Sequence, residues 1–103
     1  MIDKRKFYIN GEWVYPVKQN DLHVINPSTE DPFALISLGS KKDLDMAVTA
    51  AKEAFLSWSQ AKKELKIDLL EKLLKIYKSK WDVITDTMSK EMGAPLDWSS
   101  SAQ

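Results

Sequence analysis

The chain has no cysteine, so disulfides, thiolate metal sites and a cysteine nucleophile are all excluded within it. Glycine is scarce: Gly11, Gly39 and Gly93 are too few and too scattered to form a phosphate-cradling loop. Histidine occurs once, at His23. No serine, cysteine or carboxylate stands near it at a motif spacing that would make it a general base, and a strand residue with one polar edge is the better reading. Arginine also occurs once, at Arg5, which leaves little for bidentate recognition of phosphate or carboxylate. No apolar run is long enough to span a bilayer. Neither sign of charge dominates, because fifteen basic residues are interspersed with fifteen acidic ones. Nucleic acid and acidic membrane are therefore not expected partners. The opening residues Met1 to Lys6 are charged and lead into no secretory apolar region, so a cytoplasmic location is expected.

The composition, 44% hydrophobic and 29% charged over 103 residues, suits one small globular unit. Residues 1–6 read as a tail. Phe7-Tyr8-Ile9 and Trp13-Val14-Tyr15 are β-prone runs flanking Asn10-Gly11, the dipeptide that most favours a tight hairpin because both residues tolerate positive φ. Leu22 to Ile25 forms the next strand. It stops at Asn26-Pro27-Ser28-Thr29-Glu30, where Pro27 fixes its own φ and drives Asn26 out of the helical region. Phe33 to Leu38 completes a second hairpin. The acidic turn between them lacks the alternating oxygen spacing of a calcium loop.

Helices follow. Ser40 is an N-cap with Asp43 three residues on, an imperfect capping box. Leu44, Ala47, Val48, Ala51, Phe55 and Trp58 then make one apolar stripe at helical spacing. A second helix runs from about Lys62 to Tyr77 with a broad apolar sector. Its Asp68–Lys72 and Glu71–Lys75 pairs are worth roughly 0.2–0.5 kcal/mol each. Trp81, Ile84, Met88 and Met92 continue as a third helix that Gly93 stops and Pro95 keeps from resuming. Leu96-Asp97-Trp98 opens a fourth. The order, β-hairpins at 7–38 followed by three to four helices at 40–103, is an α+β segment. Four tryptophans and the wide sector of the second helix exceed what two small hairpins cover. From the residues alone there is no catalytic constellation and no cofactor-binding motif.

One series of motifs goes further. Phe7-Tyr8-Ile9-Asn10-Gly11-Glu12-Trp13, then Ile25 to Glu30, then the alanine-rich helix with Asp43, Asp45, Ala47, Val48, Ala50, Ala51, Ala54 and Phe55, then Trp58 and Glu91-Met92-Gly93-Ala94-Pro95, resembles the start of the NAD(P)-dependent aldehyde dehydrogenase superfamily. Ala94 stands where lysine is common. The resemblance implies an N-terminal portion, residues 1–103, flanking the α/β cofactor-binding domain of a longer oxidoreductase. That enzyme oxidises a small aldehyde to a carboxylic acid through a cysteine thiohemiacetal, with NAD or NADP taking the hydride and a glutamate activating water. Those residues would lie past Gln103, so this chain alone is expected to bind no dinucleotide and to be inactive. Its implied partners are the remainder of the enzyme or other subunits, in a homo-oligomer.

The resemblance also implies a monovalent cation held by the backbone carbonyls of Val24 and Ile25 and by Glu91, two residues before Gly93. Such oxygens suit a hard cation; the alternative for Glu91 is an exposed charge near a helix end. A second functional reading is a small non-catalytic interaction module, docking through Leu69, Leu73, Tyr77, Trp81, Ile84 and Met88.

Overall fold

A computed structural model describes residues 1–102; Gln103, the last residue of the expected helical region, lies outside the described residues. Five short strands precede four helices: β1 Ile2–Lys4, β2 Phe7–Ile9, β3 Glu12–Val14, β4 Asp21–Ile25, β5 Pro32–Ser37, α1 Lys41–Trp58, α2 Lys63–Ser79, α3 Trp81–Met92 and α4 Leu96–Ser101. The α+β order is as expected. Contacts divide the chain into two units, Met1–Ile25 with Pro32–Gln60, and Asn26–Asp31 with the chain from Ala61 onward.

In the first unit, β2 and β3 form the antiparallel hairpin. Asn10 and Gly11 take φ of 52° and 79°, the positive pair that a two-residue turn needs to match strand twist. The register sets Tyr8 opposite Trp13, and their ring centroids lie 5.2 Å apart.

Residues 1–6 are not a tail: Ile2–Lys4 pairs in parallel with β5, giving a second sheet of order β1-β5-β4. All three residues of β1 are exposed, so the strand carries no apolar alternation that would announce it. A salt bridge helps fix its end. The Arg5 guanidinium meets the Asp3 carboxylate at 2.7 Å and that of Asp21, at the start of β4, at 3.4 Å. β4 and β5 run antiparallel, with a register shift at Val24/Ile25. Ala34, on the central strand, is the buried apolar side chain of the described residues.

α1 begins as a full capping box. The Ser40 hydroxyl accepts from the Asp43 backbone N–H at 3.4 Å, and the Asp43 carboxylate accepts from the Ser40 backbone N–H at 2.7 Å. Its apolar stripe, however, is not a core: Leu44, Val48, Phe55 and Trp58 are all exposed.

In the second unit, α2 has no buried residue among those described, and Leu70, Leu73 and Leu74 face solvent. The Asp68–Lys72 pair closes at 2.8 Å, whereas Glu71–Lys75 is not among the ion pairs of the described residues. Tyr77 and Trp81 meet edge to face at 5.7 Å across the junction of α2 and α3. α3 packs mainly on α4, and the Trp81 indole N–H donates to the Ser100 hydroxyl at 3.2 Å. The apolar faces of both long helices thus exceed what either unit covers, because each helix meets only short elements.

Candidate functional site

The Asn26–Glu30 turn is held by its own polar groups. The Asn26 carbonyl accepts from the Glu30 N–H at 2.8 Å and from the Thr29 N–H at 3.3 Å. Its side-chain oxygen accepts from the Ser28 N–H at 2.9 Å, the local bonding that makes asparagine a turn residue. The Asn26 N–H donates to the Asp31 carbonyl at 2.9 Å, closing the loop, and Glu30 adopts φ of 62°.

Against this turn lies the end of α3. Gly93 caps the helix in the left-handed conformation, φ 70°, and its N–H donates to the Ser89 carbonyl. The Ser89 hydroxyl donates to the Ala94 carbonyl at 2.7 Å, steering the chain out of the helix. A Cβ on Gly93 would stand 2.9 Å from Pro27 Cγ and 3.8 Å from the Ser28 hydroxyl. The Asn-Pro turn and the Gly-Ala-Pro segment, far apart in sequence, are therefore neighbours in the second unit.

The residues proposed to bind a cation fall in different units. Val24 is half-buried and Ile25 exposed at the end of β4, in the first unit; Glu91 is exposed on the last turn of α3, in the second. His23 is exposed on β4, opposite Leu35. Among the described residues no three His, Cys, Asp or Glu side chains cluster as metal ligands do.

Sequence reading missed a polar joint of the first unit. Asp43 is buried, and besides Ser40 it accepts the Val17 backbone N–H at 2.9 Å. Bonds from the Ser40 side chain, then from the Ser40 and Val17 backbones, hold its carboxyl below the usual carboxylate range. The capping-box spacing announced half of this; the bond to a loop 26 residues away had no local signal. Joints of this kind position backbone; they carry no nucleophile or proton relay.

A family model, described as the aldehyde dehydrogenase family, matches residues 13–102. The chain belongs to the aldehyde dehydrogenase family. It is 46% identical over 96 residues to the 3-succinoylsemialdehyde-pyridine dehydrogenase of a Pseudomonas species, a match that spans 93% of this chain and 20% of that protein. Among solved structures, an aldehyde dehydrogenase from Bartonella henselae superposes with a TM-score of 0.96 at 47% identity, covering 99% of this chain and 21% of that one. A mutant of aldehyde dehydrogenase C from Pseudomonas syringae, solved with NAD+ and octanal, gives 0.91 at 32% identity over 94% of this chain and 20% of its own. The chain thus spans about a fifth of the length of the relatives it matches.

The interaction-module alternative gains no support. Its stripe is split in the structure: Leu69 and Leu73 are exposed on α2, while Trp81, Ile84 and Met88 are half-buried on α3, which packs mainly on α4. Lys80 interrupts the helical geometry between α2 and α3, so residues at helical spacing on either side of it do not form one continuous face.

No helix of the described residues is long and apolar enough to cross a membrane.

Proposed function

We propose that this chain is the N-terminal scaffold of a cytoplasmic, oligomeric NAD(P)-dependent enzyme that oxidises a small aldehyde to a carboxylic acid. It supplies backbone framework to the cofactor-binding domain, and the chemistry is supplied by residues outside it. The supporting observation is the match of nearly the whole chain to a fifth of aldehyde dehydrogenase structures, in a segment that holds no cysteine. The exposed stripes of α1 and α2 fit this role, since apolar surface of that extent ordinarily meets more protein. NAD or NADP belongs to the whole enzyme; within this chain no glycine-rich loop would hold its phosphates. Aldehyde-dependent NAD reduction by the purified chain tests the division of labour. None is expected, and clear turnover would contradict it.

Val24, Ile25 and Glu91 complete the proposal as donors to a monovalent cation. The donor set fits in kind, being two carbonyls and a carboxylate. The register shift at Val24/Ile25 interrupts the strand ladder at those carbonyls, and Glu91 has no salt-bridge partner among the described residues. Potassium should raise the melting temperature of the chain relative to a large organic cation, and Glu91→Gln should abolish the difference. A cation effect that survives Glu91→Gln would remove Glu91 from the set.

A further inference from the structure

We propose that Asn10 is a site of spontaneous deamidation, and that its conversion loosens the β2–β3 hairpin. Its exposure and its neighbour favour the reaction. Asn10 is exposed at the hairpin tip, and its side-chain amide makes no hydrogen bond among the described residues. The nucleophile is the backbone nitrogen of the next residue, and here that residue is Gly11. Gly11 has no side chain of its own to hinder the approach, and apart from its chain neighbours nothing lies within 4 Å of the position a Cβ would occupy. The Gly11 N–H is also outside the ladder, whose last pair is Ile9 with Glu12, and it donates to no acceptor among the described residues.

In the reaction the deprotonated Gly11 nitrogen adds to the Asn10 side-chain carbonyl carbon. The bond from that carbon to the amide nitrogen breaks, and ammonia leaves with a proton returned from solvent. Water then opens the five-membered imide at either carbonyl, giving aspartate or isoaspartate. No electrons are gained or lost, and water is the only co-reactant. Asparagine is thermolabile for this reason.

The other two asparagines serve as internal controls. Asn26 precedes Pro27, whose nitrogen has no proton to lose, and its side-chain oxygen is engaged by the Ser28 N–H at 2.9 Å. Asn20 precedes Asp21, which carries a charged side chain and begins β4.

The product acts on the hairpin in two ways. Isoaspartate adds a methylene to the backbone of a two-residue turn, whose length sets the register Ile9–Glu12, Tyr8–Trp13 and Phe7–Val14. Either product also places a carboxylate in the cleft that Asn10 shares with Asp45 and Glu53 of α1. Asp45 is paired with Lys41 at 2.7 Å, whereas Glu53 has no salt-bridge partner among the described residues.

The test is to incubate the intact chain at mildly alkaline pH, then digest it with trypsin and weigh the peptides. Cleavage after Lys6, Lys18 and Lys41 separates residues 7–18, which hold Asn10, from residues 19–41, which hold Asn20 and Asn26. The expected result is the mass gain of an amide-to-acid exchange in 7–18, accelerating with pH, with 19–41 unchanged. Labelling by an isoaspartyl methyltransferase should appear on the same peptide, together with faster proteolysis between β2 and β3. An intact 7–18 peptide from the folded chain, beside a converted one from urea-denatured chain, would overturn the proposal; so would conversion of 19–41 first.

Discussion

Gly93 is seated against the ring of Pro27, so closely that a single added carbon would come within 2.9 Å of Pro27 Cγ. This one approach joins the left-handed cap of α3 to the turn after β4, and it sets two separate demands on residue 93. Its φ of 70° favours glycine, and its neighbour leaves no room for a side chain. Gly93→Ala should destabilise the chain by about 1–3 kcal/mol, read as the shift in a urea midpoint followed by circular dichroism. Combining it with Pro27→Ala should recover the steric part and leave the conformational part. If Gly93→Ala is neutral, the approach has no energetic weight.

Ser40 caps α1. Ser40→Ala should cost about 1 kcal/mol, since one of the first N–H groups loses its acceptor, and Ser40→Thr much less. Amide exchange over the first turn of α1 should accelerate in the alanine variant. Unchanged protection there would mean that Asp43 alone holds the helix start.

Much of this architecture is legible in the sequence for local reasons. Asn10-Gly11, Pro27, the Ser40–Asp43 spacing and Gly93 each act on the chain next to them, and each forms what its chemistry predicts. What escapes is non-local. β1 is three exposed residues held by a parallel partner some thirty positions away, which no periodicity records. Val17 finds Asp43 the same way. The stripes of α1 and α2 have the spacing of buried faces but are exposed, because periodicity says which face is apolar and not what covers it. The nearness of Gly93 and Pro27 was foreshadowed only by their membership in one family series.

Acid should weaken the first unit through two carboxylates. The Asp3 carboxyl is lowered from 3.8 to about 2, chiefly by its bond from the Arg5 side chain, and that of Asp43 is lowered by its bonds from Ser40 and Val17. A group depressed in the folded state binds fewer protons there than in the unfolded chain. Its contribution is therefore complete above the unfolded value and is lost as pH falls through the folded one. For Asp3 the window runs from 3.8 down to about 2. A carboxyl-detected NMR titration should find both groups below the ordinary range, and Arg5→Leu should return Asp3 to it while leaving Asp43 in place. An ordinary Asp3 titration in the unaltered chain would contradict the pairing.

The uncovered face of α2 should make the chain self-associate. Leu70, Leu73 and Leu74 are 63%, 60% and 52% exposed, so replacing them removes little from the folded unit. The double variant Leu70→Glu with Leu73→Glu should shift sedimentation toward monomer and reduce binding of a hydrophobic dye, with the helical signal retained and stability changed by about 0.5 kcal/mol or less. Loss of helix on that substitution would show that the face is already packed.

In the proposed division of labour, this chain supplies framework and the rest of the aldehyde dehydrogenase supplies the chemistry. A chimera in which it replaces the matching fifth of the Bartonella henselae enzyme tests this directly, by aldehyde-dependent NAD reduction. We predict a soluble chimera that retains turnover, because the replaced part contributes scaffold of the same shape. A chimera that folds and assembles like its parent but reduces no NAD would contradict a purely structural role for this segment.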